Sequence, residues 1–147
     1  MAGVNWLSAV WHTVVGRLAT LDPALRSPLA VALGAIPGAL CRYYLAQILA
    51  RWWGTGYPYG TFVANLTGAL LMGFFTTYAL ERSAIPPDVR LLVATGFLGS
   101  YTTFSSYMLD TVNLARMGYH VALLYCLGSV VLGVLGIELG SLLARRL

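Results

Sequence analysis

The stretch GFLGSYTTFSSY, residues 96–107, decides how this chain folds. It lies in one of the most apolar regions of the sequence, yet it carries glycines and hydroxyl side chains where a membrane helix usually carries leucines. Glycine lowers helix propensity by about 1 kcal/mol relative to alanine, and Ser and Thr compete with the helix for backbone hydrogen bonds. The stretch therefore predicts a break in a membrane-embedded helix. Irregular backbone at membrane depth is stable only where it is buried in protein or lines a water-filled cavity. Its freed carbonyls are natural ligands for a hard cation, so the break is a candidate binding site.

The composition around this stretch is typical of a membrane protein. Hydrophobic residues make up 59% of the 147 residues and charged residues 10%, whereas about a quarter of the residues of a soluble protein are charged. The basic residues are all Arg and are scattered along the chain, so nucleic-acid binding has no support. The two cysteines, Cys41 and Cys126, lie in apolar segments without metal-ligand spacing, and we interpret them as small hydrophobic residues with free thiols.

Four segments are long and apolar enough to cross roughly 30 Å of hydrocarbon. Their short connections predict antiparallel neighbours. Before them, apolar residues that include Trp6 and Trp11 recur at steps of three and four, which predicts an amphipathic interfacial helix, the alternative being a disordered or partly helical tail. The predicted fold class is an all-α integral membrane protein, with a leader at 1–27 and a four-span domain at 28–147, whose spans are 28–50, 59–80, 91–113 and 119–143.

Small and polar residues also interrupt the other spans. Asn65 must face protein or water, because an unpaired amide in hydrocarbon costs several kcal/mol. Either an interhelical hydrogen bond or a polar pathway would meet this need, and the residue alone does not choose between them. Gly34 and Gly38 are spaced to let helix backbones approach closely. Four short helices enclose little volume, so we expect association with another copy.

The spans lack the groups that hydrolysis or proton-coupled cation export would need. The first two contain no carboxylate, while Asp110 and Glu138 lie near the ends of the third and fourth. No histidine or paired carboxylate lies near the serines, so we expect no enzyme activity. Neutral donors are abundant instead: Asn65, the hydroxyls of the third span, and Tyr125 with Ser129 one helical turn later. Neutral donors with scattered Arg suit an anion.

Three motifs carry a resemblance to a known family: GAIPGALCRYY in the first span, GTFVANLTGALLMG in the second and GFLGSYTTFSSY in the third. With their order and spacing, residues 29–147 resemble the Fluc family of fluoride channels, also called CrcB proteins. The resemblance implies passive export of cytoplasmic fluoride, and hence fluoride resistance, through the plasma (inner) membrane. It implies an antiparallel, dual-topology dimer of two copies in the lipid bilayer, with two narrow pores, a structural sodium ion at the centre and no organic cofactor.

The resemblance also assigns roles to residues at matching positions. The backbone carbonyls of Gly99 and Thr102 would hold the sodium ion, and Asp110 would be an acid of the vestibule. Tyr107 stands where the family usually has phenylalanine in its second ring position. Amide, hydroxyl and ring-edge donors would replace the water around a small, strongly hydrated fluoride ion. The pore residues implied are Arg42, Thr61, Asn65, Thr103, Phe104, Ser105, Tyr107, Tyr125 and Ser129.

Two alternatives stay open. A small dual-topology multidrug-type cation exporter has a similar size, but it needs a carboxylate in the first span, and residues 28–50 have none. The second alternative is a subunit of the channel fold that does not conduct, or that conducts only together with an oppositely oriented paralogue. With four spans, six Arg lie on the same side of the membrane as the N-terminus and three lie on the opposite side, which favours the N-terminus in the cytoplasm. A dual-topology homodimer would instead prefer equal numbers of Arg on the two sides.

Overall fold

The computed structural model describes Thr13, Gly16 and residues 21–81 and 85–147. Most of the predicted leader, residues 1–27, lies outside these described residues. Every element in the described part is a helix. The elements are α1 (Pro23–Trp53), α2 (Tyr59–Glu81), α3 (Pro87–Arg90), the π-helical segment (Leu91–Leu98), α4 (Gly99–Tyr101), α5 (Phe104–Met117) and α6 (Tyr119–Arg145). Three of these described helices, α1, α2 and α6, are long and apolar enough to cross a membrane.

Local sequence explains where α1 begins and ends. The Asp22 carboxylate accepts a hydrogen bond from the Ala24 N–H at 2.9 Å, and Pro23 occupies a first-turn position that needs no N–H donor. The helix stops at Gly54, whose φ of +81° suits a residue without a Cβ. It therefore extends beyond the predicted span 28–50 at both ends, and residues 23–27 belong to the same helix as that span. The predicted starts of the second and fourth spans, at 59 and 119, coincide with those of α2 and α6.

Glycines allow the helices to pack with their backbones in contact. A Cβ added at Gly38 would meet the carbonyl of Phe97, and one added at Gly34 would meet the carbonyl of Leu92, so α1 lies directly against the π-helical segment. A Cβ at Gly140 would likewise meet the Leu70 carbonyl, where α6 packs along α2. The predicted close approach at Gly34 and Gly38 is confirmed.

The third predicted span, 91–113, is not one continuous helix. Its first part is π-helical, with the Gly99 N–H bonded to the carbonyl of Ala94 five residues earlier. After the short α4, Thr102 and Thr103 adopt extended backbone with ψ values of 159° and 120°. The chain then re-enters a helix at Phe104. The structure thus places the predicted break at Thr102–Thr103, inside the stretch of glycines and hydroxyls.

An ion pair holds the start of this interrupted segment against α1. The Arg26 Nε lies 3.0 Å from the Asp88 carboxylate, and Asp88 is buried. A buried carboxylate needs such a partner, because desolvation of an unpaired charge is costly. The pair therefore ties α3 to the first turns of α1.

Candidate functional site

Asn65 closes the break from the side of α2. Its Oδ1 accepts the Thr103 N–H at 2.8 Å, and its Nδ2 donates to the Thr103 carbonyl at 3.0 Å. Of the two roles left open by the sequence, the bond between neighbouring segments is therefore present. An amide nitrogen carries two protons, so the contact with Thr103 engages one and leaves the second for another acceptor.

Two carbonyls at the break lose their helical donors. In an unbroken helix the Gly99 carbonyl would accept from the N–H of Thr103, and the Thr102 carbonyl from that of Ser106. The Thr103 N–H donates to Asn65 instead, and the Ser106 N–H donates to the Thr103 hydroxyl at 3.3 Å. Gly99 and Thr102 are the residues whose carbonyls the resemblance assigned to a sodium ion. Carbonyl oxygens without helical donors are suitable ligands for a hard cation, so these residues fit such an ion.

Arg42 binds the same break from α1. Its Nε donates to the Ser100 carbonyl at 3.2 Å, and the side chain is partly buried. The Ser100 carbonyl also precedes the break and would otherwise face membrane depth without its helical partner. The resemblance assigned Arg42 to the pore, and the structure shows that its side chain contacts the α4 turn.

Predicted site residues meet in a groove of about 320 Å³ beside the break, here called the break groove. Phe104 is 74% exposed, whereas Tyr107 is only 6% exposed. The two rings lie 5.9 Å apart between centroids. The groove carries no ionised side chain, and its lining consists of Asn65, Gly68, Ala69, Met72, Thr102, Thr103, Phe104, Tyr107 and Ile137.

A second groove, of about 310 Å³, lies between the 54–58 loop, the start of α2 and the end of α5, and is here called the mouth groove. It contains Thr61 and Asp110, which the resemblance assigned to the pore and the vestibule. It also contains Tyr57 and Asn113, which the sequence analysis missed. Asn113 follows Asp110 by three residues and therefore shares its helix face, a spacing that could have identified it.

Tyr125 joins the walls of the two grooves. It is 1% exposed, and its ring centroid lies 5.5 Å from that of Tyr107 and 5.6 Å from that of Tyr57. Its hydroxyl donates to Asp110 at the long distance of 3.5 Å. A tyrosine predicted from the fourth span therefore contacts Tyr107 and Asp110, one turn apart on α5, and Tyr57 in the loop before α2.

Four of the predicted pore residues line neither groove, namely Arg42, Ser105, Tyr125 and Ser129. Ser105 is exposed, and its hydroxyl lies 3.4 Å from that of Thr103. Ser129 is partly buried, and its oxygen is enclosed without a hydrogen-bond partner in the part of the chain that the structure describes. An enclosed hydroxyl without a partner costs free energy, so Ser129 is a candidate to bind a ligand.

Three apolar helices long enough to span, with a polar site at the break in a fourth helical segment, define an all-α, multi-pass membrane protein. The family model described as "CrcB-like protein, Camphor Resistance (CrcB)" matches residues 29–141. The chain belongs to this family.

Relatives of high identity support the assignment over most of the chain. A protein of a Synechococcus species is 53% identical over 126 residues, which cover 85% of this chain and 97% of the relative. A protein of a Synechocystis species is 54% identical over 86% of this chain and 98% of the relative. A protein of Trichormus variabilis is 54% identical over 84% of this chain and 92% of the relative. Each of these relatives is named "Fluoride-specific ion channel FluC".

Proposed function

We propose that this protein is a fluoride-selective channel that lets cytoplasmic fluoride leave the cell and so confers fluoride resistance. The observation that carries the proposal is the break groove, which brings the Asn65 amide, the Thr103 backbone and the Phe104 ring together without an ionised side chain. The names of the relatives point the same way. The protein is then a passive transporter and not an enzyme.

Neutral donors suit an anion that must both bind and leave. Fluoride holds its water strongly, so a path must offer close donors in exchange. Such donors are the second Nδ2 proton of Asn65, the hydroxyl of Ser129, which has no hydrogen-bond partner among the described residues, and the ring edge of the exposed Phe104. None is a fixed positive charge, which would hold the ion too tightly for conduction. We place Thr61, Thr103, Ser105, Tyr107 and Tyr125 along the same path. Arg42, whose guanidinium is bonded to the Ser100 carbonyl, lies at the mouth of this path, and Asp110 lies in the vestibule.

We propose that a second copy of the chain, antiparallel to the first, covers the break. Gly99, Phe104 and Ser105 are exposed in the single chain, next to irregular backbone. At membrane depth such backbone is stable only against protein or a water-filled cavity. We propose that the broken segment forms the third of four crossings within residues 28–147, and that residues 1–27 form an interfacial leader.

A sodium ion at the centre of this dimer fits the two freed carbonyls. The carbonyls of Gly99 and Thr102, from each copy, would hold it. When bound, the ion supplies positive charge that offsets the carbonyl dipoles. No organic cofactor is part of the proposal.

The cation-exporter alternative is less well supported. Within residues 28–50 the charged residue is Arg42, whose guanidinium is bound to the break. An exporter of organic cations would need a carboxylate there.

The decisive experiment is ion efflux from liposomes that contain the purified protein. Fluoride should leave and chloride should stay, both followed with ion-selective electrodes. Absence of fluoride efflux, with insertion of the protein verified, would contradict the channel. Efflux that appears only after addition of an oppositely oriented paralogue would replace the homodimer by a heterodimer.

A further inference from the structure

Tyr107 turns its hydroxyl away from the break groove. The phenol donates to the carbonyl of Cys126 at 2.8 Å, and its oxygen lies 3.1 Å from the Cys126 Sγ. Tyr107 also lines the break groove. Because the hydroxyl is engaged on α6, the part of the side chain that borders the groove is the ring.

The residue that accepts this hydrogen bond, Cys126, lies in the turn of α6 that carries Tyr125 and Ser129. Cys126 directly follows Tyr125 and precedes Ser129 by three residues. A carbonyl oxygen has two lone pairs, so the Cys126 carbonyl can accept the phenol in addition to its helical donor. The Tyr107 ring also lies 5.5 Å from the ring of Tyr125. The contact therefore joins α5, three residues after it begins, to the face of α6 that carries the predicted donors.

We infer that Tyr107 is a positioning residue, whose hydroxyl clamps α5 to α6 at Cys126 and thereby fixes Phe104 relative to Tyr125 and Ser129. The meaning of this clamp for ion selectivity rests on the proposed function, whereas the clamp itself does not. A phenol that donates to a carbonyl has no second proton for an anion. An anion in the break groove then contacts the ring of Tyr107, as it would contact the ring of a phenylalanine. The hydroxyl of Tyr107 adds a hydrogen bond between α5 and α6.

The test compares Tyr107→Phe with Tyr101→Phe in the full chain. Tyr101 is a matched control, because its hydroxyl lies 2.9 Å from that of Thr67 and so makes a similar contact elsewhere. Both variants are made in a Cys41→Ser background, which leaves Cys126 as the single thiol. The rate at which N-ethylmaleimide modifies Cys126 reports the clamp, and fluoride and chloride efflux from liposomes reports its consequence.

We expect Tyr107→Phe to raise the rate of Cys126 modification about threefold or more. Loss of an average hydrogen bond between membrane helices shifts the equilibrium between the closed and open contact by about this factor. Tyr101→Phe should leave that rate unchanged. The ratio of fluoride to chloride efflux should fall in Tyr107→Phe, because the ring remains but its distance from α6 is no longer fixed.

An unchanged Cys126 rate in Tyr107→Phe would overturn the clamp. If fluoride efflux fell while the Cys126 rate stayed the same, the phenol would contact the anion directly and the inference would be wrong. If the parent protein released no fluoride at all, the proposed channel would fail. The modification rates would then still confirm or overturn the clamp.

Discussion

Asn65 pairs with both backbone groups of Thr103, with its Oδ1 2.8 Å from the Thr103 nitrogen and its Nδ2 3.0 Å from the Thr103 oxygen. Two backbone groups at the break in the helix are thus satisfied by a side chain of another helix. The same pairing releases the Gly99 carbonyl, because the N–H that would have been its donor is used. One amide therefore stabilises the break and also shapes its chemistry.

Asn65→Asp should reduce fluoride efflux about tenfold or more, because it places a negative charge where an anion must pass. The carboxylate can still accept from the Thr103 N–H, but it cannot donate to the Thr103 carbonyl. Efflux from liposomes measures the effect. Asn113→Asp, which makes the same change in the mouth groove, is the comparison and should reduce efflux less. Undiminished efflux in Asn65→Asp would remove Asn65 from the ion path.

Thr103→Val should lower the free energy of unfolding by about 1 kcal/mol, the usual contribution of an N-cap side chain. The Thr103 hydroxyl accepts from the Ser106 N–H at the start of α5, and valine has the same shape without the acceptor. Thermal unfolding in detergent measures the loss. Thr103→Ser keeps the hydroxyl and should remain near the parent, and equal destabilisation by both variants would show that the methyl group matters instead.

Gly38→Ala should destabilise the protein strongly, because the new Cβ would meet the backbone of Phe97, which cannot move aside as a side chain can. The control is Gly128→Ala in α6, where a Cβ would have nothing within 4 Å. That control should be neutral or more stable by up to about 1 kcal/mol, from helix propensity. Thermal unfolding distinguishes them, and similar midpoints would mean that α1 and the π-helical segment can separate without cost.

Ser129→Ala should reduce fluoride efflux without reducing stability. Its hydroxyl has no partner within the described residues, so its removal breaks no hydrogen bond there. Ser141→Ala is the matched change, because the Ser141 hydroxyl donates to the Gly73 carbonyl at 3.3 Å where α6 packs on α2. We expect this control to lower the unfolding midpoint and to keep the efflux. A normal efflux rate in Ser129→Ala would exclude its hydroxyl from the path.

Replacement of sodium by N-methyl-D-glucamine should lower the unfolding midpoint of the protein. The freed carbonyls of Gly99 and Thr102 would then lack a cation of suitable size. Potassium at the same ionic strength serves as the control for salt effects. Identical midpoints in all three buffers would argue against a structural sodium ion.

The sequence predicted the location of the break but not all of its contacts. Glycines and hydroxyls weaken a helix locally, so their density was sufficient to place the break within residues 96–107. The contact of Arg42 with Ser100 joins residues 58 positions apart, and that of Tyr107 with Cys126 spans 19. Such contacts depend on how helices pack. Periodicity therefore could not show that the phenol points away from the groove.

The π-helical segment also had no signal in the sequence. Its residues, LLVATGFL, have the apolar composition of an ordinary membrane helix. Composition does not distinguish hydrogen bonds to the fourth residue from bonds to the fifth. This segment lies against the backbone of α1 at Gly34 and Gly38, an arrangement that only the structure reveals.

The contacts of the break also bear on how the chain is made. Arg42 and Asn65 bind the backbone of Ser100 and Thr103, and both are synthesised before those residues. Thr103 supplies its own cap to the helix that follows. During synthesis, Arg42 and Asn65 would therefore leave the ribosome before the interrupted segment that they bind. A nascent chain that ends with α5 already holds these partners of the break, and only the link from Tyr107 must wait for α6.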